Sequence, residues 1–423
     1  MNAVLPNSNS STPDDAVRVH PVLSNGIDQQ KYQIDVIETM AEMETIRPQW
    51  ESLHSRDPES NVFLSWKWLA QAFRNNPQRW RVFAVRSGNT YVCLFPTKYR
   101  VHWSNSRTEF QSEIEAGGRL IWSEYTGFLC DPAHQEKALS ALANHLVSLP
   151  WSHLSLRYED SKSRSAQFTS AFPAEGFSAR LRKYRINKGQ TDNLVSPQIE
   201  LPGDFETYLR DFLSKSMREK VRRSFRRNLE SNELRITETT PETFERDIEI
   251  LLRFWTTKWA AKRGNSTAIR VAENYRKTLR AALDMNILFM PVLWREDQPL
   301  AALGHIIDTH QRRSHFIVSG RDAESDIASL GKLLHAYSIR WAIHSGLDVY
   351  DFCHGDERYK YSYGAKNKTL NYFTIRRIAS NADIGSLDPI NTAEALHRAV
   401  DFIDSGNLEK ASAACRQILF DCI

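Results

Sequence analysis

Residues 315–342, HFIVSGRDAESDIASLGKLLHAYSIRWA, and residues 347–364, LDVYDFCHGDERYKYSYG, carry the pattern on which the fold turns. A β-rich run ends at about Ser319 and a polar loop follows. Apolar residues then recur with helical spacing from Leu330 to His344, and Gly346 supplies a C-terminal cap. A second short strand runs into a turn crowded with Asp351, His354, Asp356, Tyr359, Lys360, Tyr361 and Tyr363. A helix start offers unpaired N–H groups and the positive end of the helix dipole, a setting for phosphate or pyrophosphate. At Ser329, Leu330, Gly331 and Lys332 the glycine would admit a phosphate close to the backbone and the lysine would add charge. The plainer alternatives are Ser329 as an N-cap and Gly331 as a packing glycine. The turn has plainer readings too: Asp356 as a cap, Tyr359 and Tyr363 as core, Lys360 as a surface charge.

Working outward, this segment closes the second of two passes through a similar order of elements. The first begins at Tyr32 with the strand YQIDVIE. Amphipathic helices follow around Trp50 and Trp68, then a hairpin of RVFAVR and YVCLFPTKYRV, a candidate strand RLIWSE, a helix over 135–149 and the strand HLSLRYE. The second begins near Leu201. It holds a basic helical stretch over 205–229, the strand ELRITE, and a helix opened by Pro241 and running to about Lys262. A further helix follows from about 271 to 283, then three strand-like runs from NILFMPVLW to RSHFIVSG. The helix from Leu330 and the strands LDVYDFC and LNYFTIRRI complete it. The order predicts a duplicated α/β (α+β) unit with mixed, largely antiparallel sheets. The expected divisions are a disordered leader over 1–30, domains over 31–195 and 196–380, and a helical hairpin over 388–423. That hairpin cannot bury its own face and is expected to dock on the body, with a protein partner as the alternative.

The 423 residues carry 55 Lys and Arg against 51 Asp and Glu, a mild net charge of +4 that excludes no partner by itself. Positive charge is nevertheless gathered in SKSMREKVRRSFRRNLE, at Lys215, Arg218, Lys220, Arg222, Arg223, Arg226 and Arg227, opposite an apolar stripe of Leu213, Met217, Val221, Phe225 and Leu229. Such a face is either merely solvated or meets a polyanion. Five cysteines without a C-x-x-C pair argue against a disulfide framework or zinc ribbon, so no metal is expected. No apolar run reaches bilayer length and no signal sequence is visible, so a cytoplasmic location is the expectation.

The ordered run S-x-G, S-L-G-K-L-L and Y-D-F-x-x-G-D-E-x-Y-K-x-x-Y-G resembles the acetyltransferase domain of the CelD/BcsL-like group, a branch of the GNAT superfamily close to the FemAB aminoacyltransferases. The basic helix, FWTTKWAAKRG, and W-x-x-L and SWKWLAQAF in the first half are also similar to that group. The likeness covers about residues 32–378. It implies two tandem GNAT-like domains and an acyl-CoA donor held from about Val318 and Ser319 through Ser329, Leu330, Gly331 and Lys332. It also implies a small polar or amine acceptor, in some relatives linked to cellulose or other exopolysaccharide production. The superfamily's Q/R-x-x-G-x-G/A pyrophosphate signature is absent, which keeps aminoacyl-tRNA open as the donor. A non-catalytic scaffold is the third reading.

Acyl transfer needs a base for the acceptor, a backbone N–H for the carbonyl and an acid for the thiolate. Asp356 or His354 is the candidate base, and Tyr359 or Tyr363 the candidate acid. Lys360 is the candidate for orienting an anionic group, and Cys353 is a less favoured nucleophile, lacking a recognisable base.

Overall fold

The computed structural model describes residues 32–231, 233–325, 327, 330–378 and 385–422. The expected leader and Ser329 lie outside them. In chain order the strands of the first half are β1 (Tyr32–Ile37), β2 (Trp80–Ser87), β3 (Thr90–Ser104), β4 (Glu109–Ala116), β5 (Leu129–Cys130), β6 (His153–Glu159), β7 (Phe177–Leu181), β8 (Arg185–Ile186) and β9 (Thr191–Asp192). Those of the second are β10 (Val195–Glu200), β11 (Arg235–Glu238), β12 (Leu288–Phe289), β13 (Pro291–Arg295), β14 (Gln298–Asp308), β15 (Arg313–Arg321), β16 (Val349–Asp351), β17 (Lys366–Thr369) and β18 (Asn371–Arg377). The helices are α1 (Met40–Thr45), α2 (Arg47–Arg56), α3 (Trp66–Arg74), α4 (Gln135–Val147), α5 (Lys162–Ser170), α6 (Phe205–Asp211), α7 (Lys215–Ser224), α8 (Phe244–Arg263), α9 (Asn265–Asp284), α10 (Leu330–His344), α11 (Arg358–Tyr361), α12 (Thr392–Asp404) and α13 (Leu408–Cys422). Among the described residues no helix is long and apolar enough to cross a membrane.

Two mixed sheets result, ordered β1-β2-β3-β4-β6-β18-β7 and β11-β13-β14-β15-β16-β10-β17. The two orders correspond position by position. Each sheet is antiparallel apart from one parallel pair, β4 with β6 and β15 with β16. Each parallel pair is joined by a crossover helix, α4 or α10. The fold is therefore two tandem α/β units, as the order of elements predicts, in keeping with the two GNAT-like domains that the resemblance implies.

The units are interlocked. LNYFTIRRI, expected as the last strand of the second unit, is β18 and lies in the first sheet between β6 and β7. β10, at the expected boundary, lies in the second sheet between β16 and β17. Both strands have apolar inward faces that suit either sheet, so alternation alone cannot say which one they join. RLIWSE is not a strand. Its start belongs to a tight turn over Gly117–Leu120, where a Cβ on Gly118 would fall 2.5 Å from Ser123 Oγ. The strand in this region is the preceding EFQSEIEA, β4.

Helix starts obey local chemistry. Ser65 caps α3 by accepting from Trp68 N–H, and Ser214 caps α7 by accepting from Met217 N–H. The apolar stripe of α7, Met217, Val221 and Phe225, is buried with Leu330, Leu333 and Ala336 of α10. Most of its basic residues remain exposed. The α12–α13 hairpin docks on the first unit: Ala395, Ala399, Ala414 and Ile418 pack on Val101, Trp103 and Phe110. Its outer face leaves Leu396, Val400 and Ile403 about half exposed.

Two buried carboxyl groups of the first unit lie at element ends, Asp57 after α2 and Glu159 closing β6. Arg164 and Asp57 form a two-pronged ion pair at 2.6 and 2.9 Å. Glu159, at the end of β6, accepts from Ser161 N–H at 3.0 Å and meets Ser165 and Asn371. Burial pushes its carboxyl up to about 8. The unfolded chain releases that proton near pH ~4.3. Glu159 therefore contributes stability that is fully present below that pH and is lost as pH rises through 8. Urea unfolding across this window should show the wild type losing up to about 1.4 kcal/mol per pH unit from this group. Glu159→Gln should flatten that slope, and equal slopes for the two proteins would rule the burial effect out.

Candidate functional site

The second sheet opens where its parallel pair comes apart. β15 and β16 are in register at Arg313 with Val349, Ser314 with Tyr350 and His315 with Asp351, and pairing stops there. Just beyond, the register of β14 with β15 shifts: His305 faces Phe316, Gly304 faces Val318, and Ile317 is extra. A bulge bends its strand and ends pairing on the far edge. Residues 316–321 stay with β14. Residues 352–355 stay with β10, through Phe352 N–H to Pro197 O at 2.9 Å and Gly355 N–H to Val195 O at 2.8 Å. The two arms enclose a wedge, and α10 starts above it.

The donor residues named from the sequence divide by face. Val318 is buried among α8 and α9 residues, and Ser319 is half-buried. Leu330 is buried in the core, whereas Lys332 is exposed. A Cβ on Gly331 would meet no atom within 4 Å, so packing does not require a glycine there. Gly331 shares a helix face with His335 one turn on. On the outer side, Lys220, Arg223, Arg227 and Lys332 surround a groove of about 160 Å³ with Met217, Val221, Phe225, Leu333 and Ala336.

In the turn after β16, Lys360 has a different task from the one expected. It is 2% exposed. Its Nζ donates to the carbonyls of Cys353, His354 and Gly355 at 3.2, 2.7 and 2.9 Å and pairs with Glu357 at 3.0 Å. An ammonium has three protons, and here all are committed, so Lys360 locks the turn and has none left for a substrate. Asp356 Oδ1 accepts from Asp192 N–H at 2.8 Å and ties the turn to the β8–β9 ribbon. Tyr363 is fully buried, with its carbonyl accepting from Tyr208 at 3.0 Å. Tyr359, by contrast, is 40% exposed, with its ring 5.7 Å from that of His335. Its exposure is not at the hydroxyl, where desolvation and the neighbouring Glu357 push the phenol up.

His354 reaches across to the first unit. Its Nδ1 lies 2.9 Å from Glu124 Oε2, and its ring stacks on Tyr158 at 3.6 Å. Its Nε2 is buried and has no hydrogen-bond partner. A carboxylate on one imidazole nitrogen and a free second nitrogen is the arrangement of a general base. Glu124 was invisible to sequence reasoning, since nothing local links it to His354.

Two further networks were also missed. Asp351 accepts from Ser196 Oγ and Cys353 N–H, each at 2.8 Å, and from Tyr125 Oη. The second network is a chain through the core. His305 Nδ1 lies 3.2 Å from Phe289 O, His305 Nε2 2.9 Å from Tyr350 Oη, and His335 Nδ1 3.2 Å from Tyr350 Oη. Burial lowers both histidines to about 3, so both are neutral at pH 7. A carbonyl only accepts, so His305 Nδ1 carries the proton and Nε2 accepts a hydrogen bond from the Tyr350 hydroxyl. Tyr350 oxygen then accepts from His335 Nδ1–H, which leaves His335 Nε2 as a lone-pair acceptor. The aromatic spacing around Tyr350 is the sole sequence cue, and it reads equally well as core.

Residues 215–361 match the family described as Acetyltransferase (GNAT) domain. No curated protein matches the sequence. Among solved structures the chain is similar to FemX, at 11% identity, covering 80% of this chain and 96% of that one with a TM-score of 0.48. It is similar to L-PGS from Bacillus licheniformis at 9% identity, covering 82% and 95%, TM-score 0.47. It is also similar to a tandem GNAT protein from the clavulanic acid biosynthesis pathway at 8% identity, covering 82% and 100%, TM-score 0.45. The residues matched, which include β15, α10 and the turn through Tyr361, are thus similar to an acetyltransferase domain of the GNAT superfamily.

Proposed function

We propose that the chain transfers an acyl group from an acyl-CoA thioester to an amine or hydroxyl of a small polar acceptor. The observation that carries this reading is the separation of β15 from β16 beside a helix start whose Gly331 faces open space. The N–H groups opening α10 suit the donor's phosphates. Wedge-facing N–H groups of residues 316–321, which have no partner strand on that side, suit the thioester carbonyl. His354, oriented by Glu124, takes the acceptor's proton as the nitrogen or oxygen attacks the carbonyl carbon. The C–S bond then breaks, and Tyr359 gives its proton to the departing thiolate. Tyr359 serves better than Tyr363 because Tyr363 is fully buried. Asp356 and Lys360 shape the turn and take no part in proton transfer.

The test is donor binding. Acetyl-CoA and longer acyl-CoAs should raise the unfolding temperature, and no shift with any of them would sink the CoA reading. Gly331→Leu should leave the unfolding midpoint within about 0.5 kcal/mol, since its Cβ meets nothing. It should raise the donor KM at least ~10-fold, the equivalent of about 1.4 kcal/mol. An unchanged KM would place the donor elsewhere. The four cations around the α7–α10 groove favour a second reading, an aminoacyl-tRNA donor. It requires tRNA binding that weakens steeply with salt and falls when Arg223 and Arg227 are changed to Ala. Salt-insensitive binding would remove it.

A further inference from the structure

Three side chains without a task in this chemistry meet at the point where β15 and β16 part: His315, Asp351 and Cys353. One ligand atom from each, an imidazole nitrogen, a carboxylate oxygen and a thiol sulfur, lies within 4.8 Å of the other two. The residues are 1%, 0% and 3% exposed. His315 Nδ1 is 3.3 Å from Asp351 Oδ2, yet neither ring nitrogen of His315 has a hydrogen-bond partner. A buried imidazole with both nitrogens unsatisfied is an exception that asks for an explanation.

The surroundings hold the other two groups in place. Cys353 has a φ of +52°, a conformation that side-chain-bearing residues adopt only when their neighbours impose it. Its N–H is taken by Asp351 and its carbonyl by Lys360, so the sulfur projects from a fixed backbone. Asp351 is oriented by Ser196 and Tyr125, as carboxylates that ligate metals commonly are. A pocket of about 260 Å³ between the two units, lined by Tyr125, Asn61, Asp160 and Lys368 among others, reaches the cluster at His315.

We propose that His315, Asp351 and Cys353 bind one zinc ion, with water from this pocket as the fourth ligand. Thiolate and imidazole ligands select zinc over magnesium or calcium, which take oxygen. The charges balance: the Cys353 thiol releases its proton to solvent as the metal–sulfur bond forms, and thiolate plus carboxylate match the ion's two positive charges. The ion ties the end of the β15–β16 pair to the turn that carries His354. The expectation of no metal rested on ligand spacing along the chain, which does not register groups brought together by a parallel pair.

The test uses the purified full chain, stripped with chelator and titrated with Co²⁺ as a spectroscopic stand-in. One cobalt per chain should bind, with four-coordinate visible bands and a thiolate-to-metal charge-transfer band that Zn²⁺ displaces. Cys353→Ser should abolish the charge-transfer band. His315→Ala should weaken affinity by more than about tenfold. Cys415→Ser, at an exposed cysteine on α13, should change neither. Should the variants fold poorly, the wild type still decides the matter, since Zn²⁺ should raise its unfolding temperature. The proposal is overturned by wild-type protein that takes up Co²⁺ without a charge-transfer band or takes up none. It is equally overturned by a band that survives Cys353→Ser or is lost in Cys415→Ser.

Discussion

His354→Gln should lower the rate of acyl transfer by about 10²- to 10⁴-fold, the usual contribution of a positioned general base. Glutamine keeps much of the ring's volume and is able to donate to Glu124, so the seam between the units should survive. The loss should fall on kcat, with the donor KM nearly unchanged, because His354 lies on the arm opposite α10. Glu124→Gln should give a smaller loss of the same kind, since it removes the carboxylate that orients the ring and stabilises its protonated form. Steady-state rates with a saturating acyl donor measure both. A His354→Gln enzyme within threefold of wild type would dismiss His354 as the base.

Lys360→Met should act on stability before chemistry. Three carbonyls lose their shared donor, and Glu357 loses its partner, around a side chain that is itself buried. Breaking a buried, fully bonded charge costs about 3–5 kcal/mol, and part of this is recovered here because Glu357 is 37% exposed at its side chain. A fall of at least ~2 kcal/mol in urea unfolding is expected. Lys360→Arg should not restore it, since a planar fork does not match three converging carbonyls. If Lys360 instead oriented an anionic substrate, Lys360→Met would keep the wild-type midpoint and raise a substrate KM. Measuring both quantities on one preparation separates the two roles.

The contrast between these residues shows where reading the sequence stops. His354 and Lys360 stand in the same short turn, and sequence assigns both to a cluster of polar groups. Only the fold shows that one keeps a free nitrogen while the other has every proton engaged. Asp356 similarly reads as a base from the sequence, and only the fold shows that its Oδ1 accepts from a backbone N–H 164 residues away. The helix start at Leu330 and the strands around it were legible, since caps, loops and apolar spacing act within a few residues.

Sequence by itself determined most of the helices and strands and their repeated order, though not RLIWSE, and it required that the apolar face of the terminal hairpin be covered. These follow from local periodicity and from apolar faces that must be covered. Tertiary structure alone decided that β18 joins the first sheet although its chain neighbours belong to the second, and with that which side chains share a site. Tyr125 meets Asp351 across 226 residues, and Glu124 meets His354 across the same seam. An alternating pattern states which face of a strand is buried and leaves its neighbour open, because many strands present an equally apolar edge to the same core.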